Sequence, residues 1–425
     1  MSDELQSENL KLQRTVNELR ILNEISTAIS ATLGVDEITR LIVQKCMKHL
    51  EAEQGAIWLL VEGDNKVTPK THLRIMDQEF KGIPFKIGVS LTGWVTKNHI
   101  PLLVDNLKED ARFSYLAEEY DSIRCFVAIP LTIKNRIIGL LCLFNKKTGG
   151  AFTSEDVRLL SIVAIQSAQV IENARLYDEE LKLRELENDL KIAQHIQLKL
   201  LPDRNPSIEN LDVAGLSVPA RMVGGDYYDY IDLRDNRLGL AIADVSGKGT
   251  SAALLMASLQ TCLRGQSGMN RDIRETILKV NQMFYKFLET GKFISLIFGV
   301  LDTRNFTFNY VNAGHNYPMF VKKNGLVDML EESDIILGIN QQAEYNEKEI
   351  VLNPGEMILL YTDGITEATS PEGEMYGEER LMNLLRVNHT LSAYDLSQKI
   401  LESVKNFQAD TDQDDDITLM VVKRL

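Results

Sequence analysis

Residues 238–260 read LGLAIADVSGKGTSAALLMASLQ. An apolar, strand-like run gives out on Asp244 and turns at Gly247 and Gly249. It then becomes a helical stretch that Thr250 or Ser251 can cap. Three more aspartates stand where an apolar segment meets a turn: Asp226 in GGDYYDY (224–230), Asp363 in MILLYTDGITEA (357–368) and Asp415 in DQDDDITLMVV (412–422). Aspartate forms strands poorly and is seldom buried unpaired, because desolvating a carboxylate costs several kcal/mol or more. One such residue ends a strand. Four of them predict carboxylates gathered at one edge of a sheet core, and like charges gather only around something positive. Oxygen donors suit Mg or Mn, so the first expectation is a binuclear metal hydrolase.

Outward from these motifs, 425 residues with 44% apolar content allow two or three domains with ample cores. The formal net charge of −15 offers no general basic surface, which argues against nucleic acid and anionic membranes as partners. Cys46, Cys125, Cys142 and Cys262 lack CxxC spacing, so neither a disulfide framework nor a zinc site is expected. The polar start MSDELQSENLKLQ has no signal-peptide character, and no apolar run approaches the roughly 20 residues of a membrane span. A cytoplasmic protein is expected.

Leucine and isoleucine spacing predicts an amphipathic N-terminal helix over 1–20. From Gly55 to Phe144 short alternating segments separated by GDN, KNR and KTGG predict an antiparallel sheet. Thr153 or Ser154 then caps a helix that meets no Pro or Gly before Pro202. Its later part narrows to a seam of Leu176, Leu183, Leu186, Leu190, Ala193 and Leu200, weakened by Glu179 and Gln197. That seam predicts a coiled-coil linker over 173–202 and a homodimer. After Pro202 strand-like runs alternate with helical stretches near 251–265, 271–290, 378–389 and 393–408, as in an α+β domain.

The second half carries AQHIQLKLLP (193–202), VGGDYYDY (223–230), ADVSGKGTSAALLMASLQ (243–260) and NAGHNYP (312–318). It continues with ILGI (336–339), LYTDGITEA (360–368), YGEERL (376–381) and DDDITLMVV (414–422). In that order these motifs resemble the SpoIIE/RsbU branch of the 2C-type (PPM) serine/threonine protein phosphatases. The resemblance implies an α/β sandwich over 203–425 and two Mn2+ or Mg2+ ions. It implies that Asp244 bridges both ions, with the main-chain carbonyl of Val245 beside it. Asp363 and Asp415 would be further ligands, and Asp226 would hold metal-bound water in an outer role. Asp416 competes with Asp415 for its place, and Asp229 fits either ligation or a supporting position. His315 invites a reading as general acid, but a buried turn histidine is preferred. Arg221 remains open as a phosphate partner, and Lys248 is expected to be solvated.

Residues 21–172 resemble a GAF domain through ILNEISTAISATLGVDEITRLIVQKCMKHLEAEQGAIWLL, GVSLTGWVTKN, AIPLTIKNRIIGLLCLFNK and AFTSEDVRLLSIVAIQSAQVIENARLY. Its input would be a small molecule or a protein. Asn145-Lys146, Phe152 and Asp156 partly echo the motif of cyclic-nucleotide-binding members, which Val157 breaks, and Trp58 and Trp94 are expected in core packing, with a pocket lining as the alternative. Together the resemblances imply a multidomain α+β sensor phosphatase acting on phosphoserine or phosphothreonine. The implied substrate is a STAS-like anti-anti-sigma protein in a partner-switching pathway. A catalytically inactive scaffold is the alternative, and a nucleotidyl cyclase, prompted by GGD alone, leaves TDG and DDDIT without a role.

Overall fold

A computed structural model describes residues 34–63, 66–76, 94–95, 97–116, 123–269, 272–288, 291–409, 411 and 413–425. The expected helix over 1–20 lies outside them. The chain divides into two compact units, Met1–Glu185 and Leu186–Leu425.

In the first unit, helix α1 (Val35–Leu50) buries Ile38, Ile42, Cys46 and Leu50, a stripe at every fourth residue. Strands β1 (Ala52–Gly63), β2 (Lys66–Met76), β3 (Leu102–Val104), β4 (Phe126–Ile133) and β5 (Arg136–Lys146) form an antiparallel sheet in the order β2-β1-β5-β4-β3. Alternation along the strands separates two cores. Ile57, Val127, Ile129, Leu141 and Leu143 face α1 and the start of the long helix α2 (Ser154–Leu198). Trp58, Phe126, Leu140 and Phe144 face the other way, with Trp58 edge-on to Phe144 at 6.3 Å. The residues of the cyclic-nucleotide echo make contacts within the domain. Asn145 accepts from the Arg124 N–H at 2.8 Å and donates to Glu53 at 2.8 Å, while Lys146 pairs with Asp156 at 2.7 Å.

Helix α2 starts with a reciprocal cap: Thr153 N–H donates to the Asp156 carboxylate at 2.7 Å and Asp156 N–H to Thr153 Oγ1 at 3.3 Å. It buries residues as far as Ile171, after which Leu176, Leu183 and Leu186 are more than half exposed (52%, 60% and 57%).

The second unit is a sandwich of two five-stranded antiparallel sheets. One, ordered β13-β10-β9-β8-β7, comprises Lys348–Val351, Thr307–Ala313, Ile294–Asp302, Arg237–Val245 and Tyr227–Asp232. The other, ordered β12-β11-β14-β15-β6, comprises Val327–Met329, Met319–Val321, Met357–Tyr361, Ile417–Arg424 and Leu211–Val218. Leu240, Ile242, Ile297 and Phe308 of the first sheet meet Ile358, Leu360, Met420 and Val422 of the second in a shared apolar layer. The opposite strand faces pack under helices. Helices α3 (Thr250–Met269) and α4 (Ile273–Phe287) cover the first sheet; after the short α5 (Asp363–Thr366), α6 (Gly377–Asn388) and α7 (Ala393–Gln408) cover the second. Among the described residues no helix is long and apolar enough to cross a membrane, and the four cysteines are free thiols.

Candidate metal and phosphate site

Asp226 stands just before β7, Asp244 is the penultimate residue of β8, Asp363 follows β14 and Asp415 precedes β15. Four chain segments distant in sequence therefore deliver carboxylates to one end of the sandwich. Along β8, Ala243 and Val245 belong to the helix-covered core, so alternation turns Asp244 toward the layer between the sheets.

The carboxylates feel one another. Burial, then Asp363, Asp415 and Asp416, push the Asp244 pKa up to about 7, with Lys248 pulling it back. Burial, then Glu367 and Asp415, push Asp363 up to about 6. Asp226 is raised well above the usual carboxylate range by burial and by Asp244 and Asp416, against hydrogen bonds from Thr418 and Thr362. Thr362 Oγ1 donates to Asp226 at 2.8 Å.

The DDD run splits by role. The Asp416 side chain accepts from the Ala220 and Gly225 N–H groups, each at 2.7 Å, and so pins the GGD turn. The turn closes on it so tightly that a Cβ at Gly224 would lie 2.2 Å from Asp416 Oδ2. Asp415 is half exposed and pairs with Lys248 at 3.2 Å. Lys248 also donates to the Asp414 carbonyl, so it is engaged rather than simply solvated. Gly225 abuts the Val245 carbonyl, where a Cβ would approach to 2.7 Å.

Other candidates separate from this group. Asp229 is fully buried on the helix side, where it accepts from Arg264 Nε at 2.6 Å, Arg264 Nη2 at 2.8 Å and the Tyr227 hydroxyl at 2.7 Å. It clamps α3 to β7. Arg221 is exposed and lines a narrow recess with Lys248, Gly249, Asp415 and Asp416. His315 is 4% exposed, and burial holds its pKa down to about 3, so the ring is neutral near pH 7 and poorly suited to act as a general acid. Gln197, which weakens the leucine seam of the linker, has a role of its own. Its side chain donates to the Gly224 carbonyl at 2.7 Å and accepts from the Gly224 N–H at 3.1 Å, next to the GGD turn.

The donor set is all oxygen, with neither His nor Cys, which fits Mg or Mn rather than zinc. Among the described residues no three His, Cys, Asp or Glu side chains close into a metal cage of their own. A hard cation that keeps several waters requires no such cage, so the residues present fit.

Comparison with known proteins follows the same division. A family profile described as Stage II sporulation protein E (SpoIIE) matches residues 234–425, which include Asp244, Asp363 and Asp415 but not Asp226, and a GAF domain profile matches 32–172. Phosphoserine phosphatase RsbU of Bacillus subtilis is 30% identical over 254 residues, 58% of this chain and 75% of that protein. Phosphoserine phosphatase RsbP of the same organism is 25% identical over 239 residues, 55% of this chain and 57% of that one. The SiaA-PP2C domain of Pseudomonas aeruginosa superposes with a TM-score of 0.51 at 21% identity, covering 57% of this chain and 98% of that domain, which shows the sandwich fold. The chain belongs to the SpoIIE/RsbU-type family of PP2C-like phosphatases and carries a GAF domain ahead of its phosphatase fold.

Proposed function

We propose that this protein is a metal-dependent phosphoserine/phosphothreonine protein phosphatase under the control of its GAF domain. The observation that carries the reading is the convergence of Asp226, Asp244, Asp363 and Asp415 on one end of the sandwich, with burial and mutual repulsion raising the pKa of Asp226, Asp244 and Asp363. Asp244, the Val245 carbonyl, Asp363 and Asp415 would hold two Mn2+ or Mg2+ ions, with Asp226 supporting them from within the layer. A pair of such ions lowers the pKa of water and neutralises charge on phosphoryl oxygens. Thr362 fixes the Asp226 carboxylate, and Asp416 holds the GGD turn against Val245. Arg221 and Lys248 line the recess beside Asp415, and Arg221 would orient an incoming phosphate there.

The substrate we favour is a phosphorylated STAS-like anti-anti-sigma protein, in keeping with the relatives named phosphoserine phosphatase. Input to the GAF domain would come from a small molecule or a protein, and the exposed leucines of α2 within 173–202 would pair two copies of the chain. The test is hydrolysis of p-nitrophenyl phosphate with Mn2+ or with EDTA. Wild type should turn over only with Mn2+, and Asp244→Asn should lose at least about 100-fold in kcat. Metal-independent turnover, or an unimpaired variant, overturns the assignment.

A further inference from the structure

The floor of the site contains a histidine that takes no part in the chemistry above. His315 lies in the turn after β10, packed at the end of the apolar layer between the two sheets. Its backbone is locked from both sides: the His315 N–H donates to Asn312 Oδ1 at 2.8 Å, and Asn312 Nδ2 donates to the His315 carbonyl at 3.1 Å. Gly314, at φ +71°, admits the turn, and a Cβ there would run into Ile336.

The imidazole reaches toward both sheets. Nδ1 meets Ser295 Oγ at 2.7 Å, and Ser295 is the residue directly opposite Asp244 in the β8–β9 ladder. On the other side the backbone of Tyr361, two residues before Asp363, favours the imidazole's proton. Among the described residues Nε2 has no hydrogen-bond partner, so a buried ring nitrogen is left unsatisfied. An apolar side chain would fill this layer without such a cost, since an unsatisfied buried polar atom typically costs about 1–3 kcal/mol. The ring therefore stands between the partner of Asp244 in one sheet and the strand that delivers Asp363 in the other.

We propose that His315 is a positioning residue, a strut bonded to Ser295 and packed toward the Tyr361 backbone that sets the separation of the Asp244 and Asp363 carboxylates. This rests on the two-ion reading of the site. Bound ions would draw the repelling carboxylates together, and a rigid spacer beneath them would set how closely the two strands can approach.

The test uses the full chain and reads Mn2+ affinity by electron paramagnetic resonance, together with thermal unfolding in EDTA and the KM and kcat for p-nitrophenyl phosphate. His315→Leu should remain folded yet bind Mn2+ ~10-fold to ~100-fold more weakly, as expected when a group supporting metal ligands is removed. The KM for the aryl phosphate at saturating Mn2+ should be unchanged. His315→Gln, which can still bond Ser295, should recover part of the loss. Ser295→Ala should reproduce the loss, and the double variant should lose no more than either single one. Wild-type Mn2+ affinity in folded His315→Leu, or in Ser295→Ala should the leucine variant fail to fold, overturns the strut alone. Additive losses also overturn it. Absence of Mn2+ binding in the wild type overturns the two-ion reading and the strut with it.

Discussion

At the residue scale, two neighbouring aspartates have been given different work. Asp416 spends its carboxylate on the backbone N–H groups of Ala220 and Gly225, whereas Asp415 faces Lys248 at the half-exposed rim. The two should therefore fail differently when neutralised. Asp416→Asn keeps only one acceptor oxygen for two short bonds, and should lose about 1–3 kcal/mol of stability in urea unfolding. Asp415→Asn removes an exposed pair worth about 0–1 kcal/mol, so its unfolding curve should barely move. Its Mn2+-dependent turnover should nonetheless collapse. Equal stability losses in the two variants would contradict this division. The motif alone left Asp415 and Asp416 in competition, because their difference lies in partners far away in sequence, brought close only by the fold. Asp229 is similar. Its place in GGDYYDY is legible, but its commitment to Arg264 depends on which face of β7 the helix covers.

At the element scale, the long helix was legible from the absence of Pro and Gly between Ser154 and Pro202, and from its capping residues. Helices α3, α4, α6 and α7 likewise follow from their apolar periodicity. Strand β7 carries little strand signal of its own, since its residues follow directly on GGD and look like part of the turn. The three-residue strands β11 and β12 are too short to show a period of two. On α2, Leu183 and Leu186 are 60% and 57% exposed, a cost a lone helix has no reason to bear. Sedimentation of the full 48.0 kDa chain should give a dimer, and Leu183→Glu with Leu186→Glu should shift it to monomer. A monomeric wild type at micromolar concentration would remove the pairing.

At the scale of the whole molecule, the gathered carboxylates make metal-free stability depend on pH. Unfolded, Asp244 and Asp363 should titrate near the ordinary value of about 3.9; folded, they hold their protons up to about 7 and about 6. The folded chain thus binds more protons than the unfolded one across that window. Their contribution to stability is fully present below about pH 4 and is lost as pH rises through 6 to 7. In EDTA the Tm should fall from pH 5.5 to pH 8, and fall less in Asp244→Asn. Added Mn2+ should stabilise wild type most at pH 8, where the carboxylates are free of protons. A pH-independent difference between wild type and Asp244→Asn would show that the repulsion is not felt.

By itself the sequence determined which kind of fold this is and singled out four aspartates at the ends of its strand-like runs. Each aspartate ends or precedes an apolar strand within a recognisable local motif, and local pattern is what a linear chain displays. Only the tertiary structure decided the assignments that depend on register and on which face is covered. It gave Asp416 to the backbone, Asp229 to Arg264, Gln197 to the GGD turn, and His315 to Ser295 opposite Asp244. Those partners are chosen by sheet pairing and by the closing of two layers over one core, and neither of these is written in the neighbourhood of any single residue.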